Sequence, residues 1–192
     1  NIAYFLSLQK IELENLNQYI KKNIVTNKLL SPYYPSELPI LYFISRFFPR
    51  EHTIMQNMIL KKRTSKGQWH NPLDAALSIC CLLHLKTPPE KLTDAIWYLI
   101  DQQAKNNFKP FPFYTGVNPK KDTIYFAGSQ ALTTVFCLEA LAKYQKALEI
   151  SKYQTRAKHS DQEALIYQEV VNRVEKRFDS FDKPLKKIIL PF

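Results

Sequence analysis

Few side chains in this sequence are grouped in a way that could do chemistry. Asp74 is the one carboxylate at the head of a strongly apolar run. A carboxyl desolvated in such a place keeps its proton and can act as a general acid lining a cavity. Asp74 also stands three residues after Asn71, the spacing of a capping box in which a carboxylate completes a helix start and complements its dipole. Capping is the commoner use of that spacing. Glu139 sits inside a second apolar run and either acts or fills a polar seam.

Cys80, Cys81 and Cys137 all lie in apolar runs, where free cysteine packs as a small hydrophobe. No CxxC or HxxxH spacing accompanies them, so neither a metal site nor a cofactor is expected. His70 and His84 read as ordinary surface or core residues. Lys61, Lys62, Arg63 and Lys66 form one cationic group, and Lys183, Lys186 and Lys187 another. Lys62 and Arg63 have the charge to grip a diphosphate, although a solvated helix end accounts for them as well. Trp69, Phe111, Phe113 and Tyr114 offer aromatic faces that either wall an apolar pocket or anchor the elements around them. The hydroxyls of Thr133 and Thr134 are expected to bond back to helix carbonyls.

These residues need helices to position them. Leu13, Leu16, Ile20 and Ile24 recur at helical spacing over residues 11–30, until Ser31-Pro-Tyr-Tyr-Pro stops the run. A short apolar helix, capped by Ser36, runs to Phe48, and another spans about Glu51 to Arg63. Asn71 caps a helix with Pro72 at its first position, and from Leu73 to Leu85 that helix is apolar on nearly every side, as a fully buried helix is. Thr87-Pro-Pro opens an amphipathic helix to about Gln103. Residues 104–128 read as a long aromatic and proline-rich loop, a type often functional. Ser129 caps a second nearly all-apolar helix from Ala131 to about Leu148. Ser160-Asp161 starts a last amphipathic helix ending near Phe178, followed by a basic-apolar tail.

At 192 residues the chain suits one domain with one core. Three glycines are too few for a Rossmann or P-loop phosphate turn, and they make hairpin turns scarce. A net charge of +10 fits nucleic acid, anionic lipid, a phosphate-bearing ligand or a plain solvated surface. No run approaches the roughly 20 apolar residues of a membrane span, and no signal peptide opens the chain. The buried free thiols point to a reducing, cytoplasmic setting. The first residue is Asn, so a processed or excised piece is expected.

Two segments repeat. Asp74-Ala-Ala-Leu-Ser-Ile-Cys-Cys-Leu-Leu-His-Leu85 lies over Gln130-Ala-Leu-Thr-Thr-Val-Phe-Cys-Leu-Glu-Ala-Leu141 without gaps, matching Ala75 to Ala131, Cys81 to Cys137 and Leu85 to Leu141. An amphipathic helix precedes each, and a unit that cannot bury its own face must stack on a neighbour. With Lys66-Gly67-Gln68-Trp69 before the first and Gln102-Gln103 before the second, the chain resembles the prenyltransferase and squalene-oxidase repeat of terpenoid cyclases over about residues 50 to 150. Arg63 stands where that family has Gln, and the second loop carries an insertion. The resemblance implies an all-α fold, an α/α repeat forming a partial toroid or arc over a single domain of residues 1–192. It implies a module for an isoprenoid or other apolar ligand, bound in a concave pocket lined by Leu77, Cys81, Phe136 and Trp69 or Tyr114, with Lys62 and Arg63 for a charged head.

The family's Asp-x-Asp-Asp acid run and Asp-Asp-x-x-Asp magnesium motif are both missing, Asp179-Ser-Phe-Asp182 being the nearest approach. Asp74 is left as the single candidate catalytic residue. The alternative is a non-catalytic scaffold whose stacked helices present a groove to a protein partner. Nucleic acid is the least expected partner, because no reading helix or RNA-binding motif is recognisable.

Overall fold

The computed structural model describes residues 2–48, 50–64, 68–106, 108–118, 123–156 and 172. Among them the chain is mostly helical: α1 (Ile2–Leu8), α2 (Glu14–Val25), α3 (Leu38–Ser45), α4 (His52–Leu60), α5 (Pro72–His84), α6 (Thr93–Asn106) and α7 (Gln130–Arg156). A two-stranded antiparallel hairpin, β1 (Tyr114–Asn118) and β2 (Thr123–Ala127), separates α6 from α7. Apart from Asn172, the last amphipathic helix of the sequence reading falls outside the described residues, as do Asp179 to Asp182, the second lysine group, the basic-apolar tail, Lys66 and Gly67.

Helix α5 is the centre of the fold, and its composition is the reason. Leu73, Ala75 through Cys81 and Leu82 are all buried, so the helix has no face to give to water. Its start is set as the residues dictate: the Asn71 side chain accepts from the Asp74 N–H at 2.9 Å, with Pro72 at the first position. Helices α3, α4, α6 and α7 pack around it. One continuous core results, running from Ile20 and Ile24 of α2 through Met55 and Ile59 of α4 to Tyr144 and Leu148 of α7.

The end of α5 is held from a neighbour. Gln56 of α4 donates its amide to the Leu85 carbonyl at 3.0 Å and to Thr87 Oγ1 at 3.0 Å, satisfying a carbonyl that the helix leaves over. Gln56→Ala is expected to cost about 1–2 kcal/mol in urea unfolding, because a half-buried acceptor loses its partner. Gln56→Glu, which cannot donate in its ionised form, is expected to cost at least as much. Equal midpoints for wild type and both variants would refute the role.

The hairpin corrects the expectation of a structureless loop over residues 104–128. Helix α6 continues to Asn106, and Thr123-Ile-Tyr-Phe-Ala, rich in β-branched and aromatic residues, pairs with Tyr114-Thr-Gly-Val-Asn in the register Thr115 to Phe126 and Val117 to Ile124. Gly128 closes it onto the body: a Cβ there would run into the Phe111 carbonyl. Helix α7 also differs from expectation. It continues to Arg156, and it is one-sided rather than buried all round, with Cys137, Ala140, Leu141 and Tyr144 against the core and Ala131, Val135 and Ile150 in solvent. Helix α1 was not expected from the sequence, and its Ile2, Phe5 and Leu8 are exposed. No helix among the described residues is long and apolar enough to cross a membrane.

Candidate functional site

Three places hold the residues that could act. At the head of α5, Asp74 is tied into the cap: Asn71 Nδ2 donates to its Oδ2 at 2.8 Å while its own N–H is bound by Asn71 Oδ1. Burial raises the pKa of Asp74, and the Asn71 hydrogen bond, His70 and Lys62 partly oppose that rise. The capping use of the Asn71–Asp74 spacing is therefore realised. Beside it the Arg63 guanidinium lies over the Trp69 ring, 4.7 Å from its centroid. Lys62 Nζ is paired with Glu37 at 2.7 Å and borders a cleft of about 460 Å³ that Ile24, Ile54, Met58 and Lys61 also line.

Among the described residues, those expected to line a pocket lie at different depths. Leu77, Cys81 and Trp69 are in the packed core, and Phe136 is half-buried, stacked on Phe113 with centroids 5.1 Å apart. Tyr114 is exposed at the start of β1, edge-on to Phe113. Burial pushes the Cys81 thiol up to about 12 and raises the other two cysteines as well, which disfavours the thiolate form at each. Among the described residues no group of three His, Cys, Asp or Glu side chains could hold a metal ion.

The second place is a polar seam between α3, α5 and α7. The Tyr42 hydroxyl donates to the Glu139 carboxylate, 2.8 Å from Oε1 and 2.9 Å from Oε2, and Lys143 Nζ stands 3.6 Å from the same carboxylate. Ser45 Oγ lies 3.0 Å from His84 Nδ1 and 2.9 Å from the Tyr42 carbonyl. Arg46 covers the Tyr4 ring at 4.0 Å and Tyr42 at 5.6 Å. Glu139 thus fills a seam, one of its two sequence readings. His84 was missed, because its partner Ser45 is 39 positions away and no local spacing signals the pair.

Burial, then the positive charges of Lys143, Arg46 and Lys86, press His84 down to about 4. The folded state thus takes up this proton later than the unfolded chain does. The contribution of His84 is complete above its ordinary value near 6.5 and is lost as pH falls from there through about 4. The difference in unfolding midpoint between wild type and His84→Gln is expected to shrink across that window. A difference that stays constant from pH 7 to pH 4 would refute it, and the subtraction removes the opposing titration of Asp74.

The third place is the hairpin face. Side chains opposite one another across a ladder share a face, so Val117, Ile124 and Phe126 present one apolar surface, and each is more than half exposed. The outer edge of β1 is partly used: Thr115 N–H donates to the Tyr33 carbonyl at 2.9 Å and its hydroxyl to the Pro32 carbonyl at 2.6 Å. Every residue of β2 is exposed, and none is charged. Thr133 fixes this unit to α7, accepting from the Phe111 N–H at 3.3 Å while it bonds back to the Ser129 carbonyl. Thr134 likewise bonds back to Gln130, as expected of both threonines.

Comparison with protein-family models, with curated proteins and with solved structures finds no match for this chain.

Proposed function

We propose that this chain is a non-catalytic helical scaffold that docks a protein partner on its β-hairpin. The observation that carries the reading is the exposure of Val117, Ile124 and Phe126 on one face of a hairpin whose β2 strand has no charged residue. Apolar strands left open to solvent are ordinarily guarded by lysine, a bulge or a covering element. In a chain with 27 Lys and Arg, an unguarded strand is a docking feature. The two helix pairs, α4 with α5 and α6 with α7, are read as successive units of an α/α arc, with the hairpin inside the second pair. The matched caps at Asn71 and Ser129 support this. A photocrosslinking residue at position 126 tests the function: the purified captured protein must bind saturably and slow amide exchange over residues 123–127. Capture without protection there removes the reading.

A second reading, a module for an isoprenoid or other apolar ligand, is favoured by a cleft of about 310 Å³ between α1, α2 and the end of α3. Leu6, Leu13, Leu16 and Phe47 give it apolar walls, and Lys10 and Arg50 stand among its lining residues. That pairs an apolar slot with cations suited to a diphosphate. Titration with geranyl diphosphate, read by shifts at those residues, separates the two readings. An unchanged spectrum at millimolar ligand eliminates this one.

A further inference from the structure

The alternation of the hairpin ladder decides which of its main-chain groups are left over. In an antiparallel pair, opposed residues alternate between exchanging both bonds and turning their N–H and C=O outward. Thr115 is of the second kind, because its N–H leaves the ladder for the Tyr33 carbonyl at 2.9 Å. Its partner Phe126 shares that state, and so does Ile124, two residues earlier and opposite Val117. The outward N–H and C=O groups of both therefore line the outer edge of β2. Among the described residues none bonds them. Ile124 and Phe126 are 68% and 62% exposed, so this edge and the face beside it are open together. We infer that β2 takes up an extended acidic peptide segment as a third strand, bonded to the main chain of Ile124 and Phe126. The inference rests on the reading of the hairpin as the docking face, and it names what docks there.

Geometry and charge select this occupant. The edge of β1 is closed at Thr115, whose N–H and hydroxyl hold the Tyr33 and Pro32 carbonyls, so β2 is the edge left for a new strand. Two residues with outward groups offer an extended segment four main-chain bonds, and a helix has no such row to answer them. Every second side chain of the added strand continues the surface of Val117, Ile124 and Phe126, which calls for apolar residues there. On the opposite face the Tyr125 ring already lies across Gly116, so the apolar contact is offered on one side. Charge decides between a foreign strand and β2 of a second copy. Strand β2 can pair with itself, but two chains at +10 repel, whereas an acidic segment is drawn in. Carboxylates at the intervening positions bring that charge and leave the apolar positions to the face.

The probe is the peptide acetyl-Glu-Val-Glu-Val-Glu-Val-Glu-amide, titrated into the whole chain at fixed ionic strength and followed by NMR. The same peptide with lysine for glutamate is the charge control and is expected not to bind. The expected result is saturable binding that slows amide exchange at Ile124 and Phe126, with less change at Tyr125, whose N–H lies inside the ladder. Ile124→Pro removes an outward N–H, which an edge strand tolerates, and Ile124→Ala matches its loss of side chain. The proline variant is expected to bind about 10-fold more weakly than the alanine variant, as the loss of one hydrogen bond requires. Circular dichroism confirms that each variant folds, and the wild-type exchange pattern stands without either. No saturable binding of the acidic peptide overturns the inference, while capture and protection through position 126 still test the docking reading by themselves. Equal binding by the two folded variants also overturns it and leaves docking on the face without strand addition. Protection of Ile124 and Phe126 that rises with protein concentration, with no peptide present, overturns it in favour of a second copy.

Discussion

Ile124→Lys combined with Phe126→Lys is expected to reduce partner binding by at least about 30-fold while leaving the unfolding midpoint almost unchanged. The two effects separate because of where these side chains are. Both are more than half exposed on one face of the hairpin, so substitution opens no cavity, and exposed changes of this kind move stability by about 0.5 kcal/mol or less. At an interface the same positions become buried anchors, and losing one apolar anchor costs about 2 kcal/mol, or roughly 30-fold. Lysine adds a desolvation penalty and, in a chain already at +10, repels any further cation. Surface plasmon resonance with the crosslinked partner and thermal unfolding are the paired measurements. Lys109→Ala, in the exposed segment that leads into the hairpin, is the control. Full binding by the double variant would show that the hairpin is not the docking face. A large drop in midpoint would show that the face is covered within the chain.

The parts of this fold that could be read from the residues are those set by local chemistry. Asn71-Pro72 signals the start of α5 through a capping side chain, and the apolar run to Leu85 fits the burial that the helix has. Ser129 signals the start of α7 in the same way, its hydroxyl accepting from the Leu132 N–H at 3.1 Å. The extent of burial of α7 was not readable. Val135 is as apolar as Ile79, and only the packing of α5 against the other side of α7 decides that one faces water and the other the core. The hairpin did leave a trace, Thr123-Ile-Tyr-Phe-Ala between Asp122 and Gly128, but the chain's scarce glycine and three prolines between residues 108 and 128 argued for a loop. The polar seam left none. Tyr42 and Glu139 are 97 positions apart, and neither lies in a motif that requires the other.

Leu77→Ala decides between the two meanings that the sequence allows for the middle of α5. If Leu77 lined a ligand cavity, truncating it would enlarge a space that already exists, lose few contacts and cost well under about 1 kcal/mol. In the structure Leu77 is only 1% exposed within a helix buried along its length, surrounded by α3, α6 and α7. Removing three carbons there forfeits their transfer energy and leaves a void that the close-packed neighbours fill only in part, about 3 kcal/mol in all. For a chain of this size that is a fall in midpoint of roughly 10 °C. The expected result is therefore a strongly destabilised protein that still folds, with unfolding cooperativity kept. A fall of less than about 2 °C would mean that α5 borders an open space, and it would restore the inner-wall pocket over the packed core.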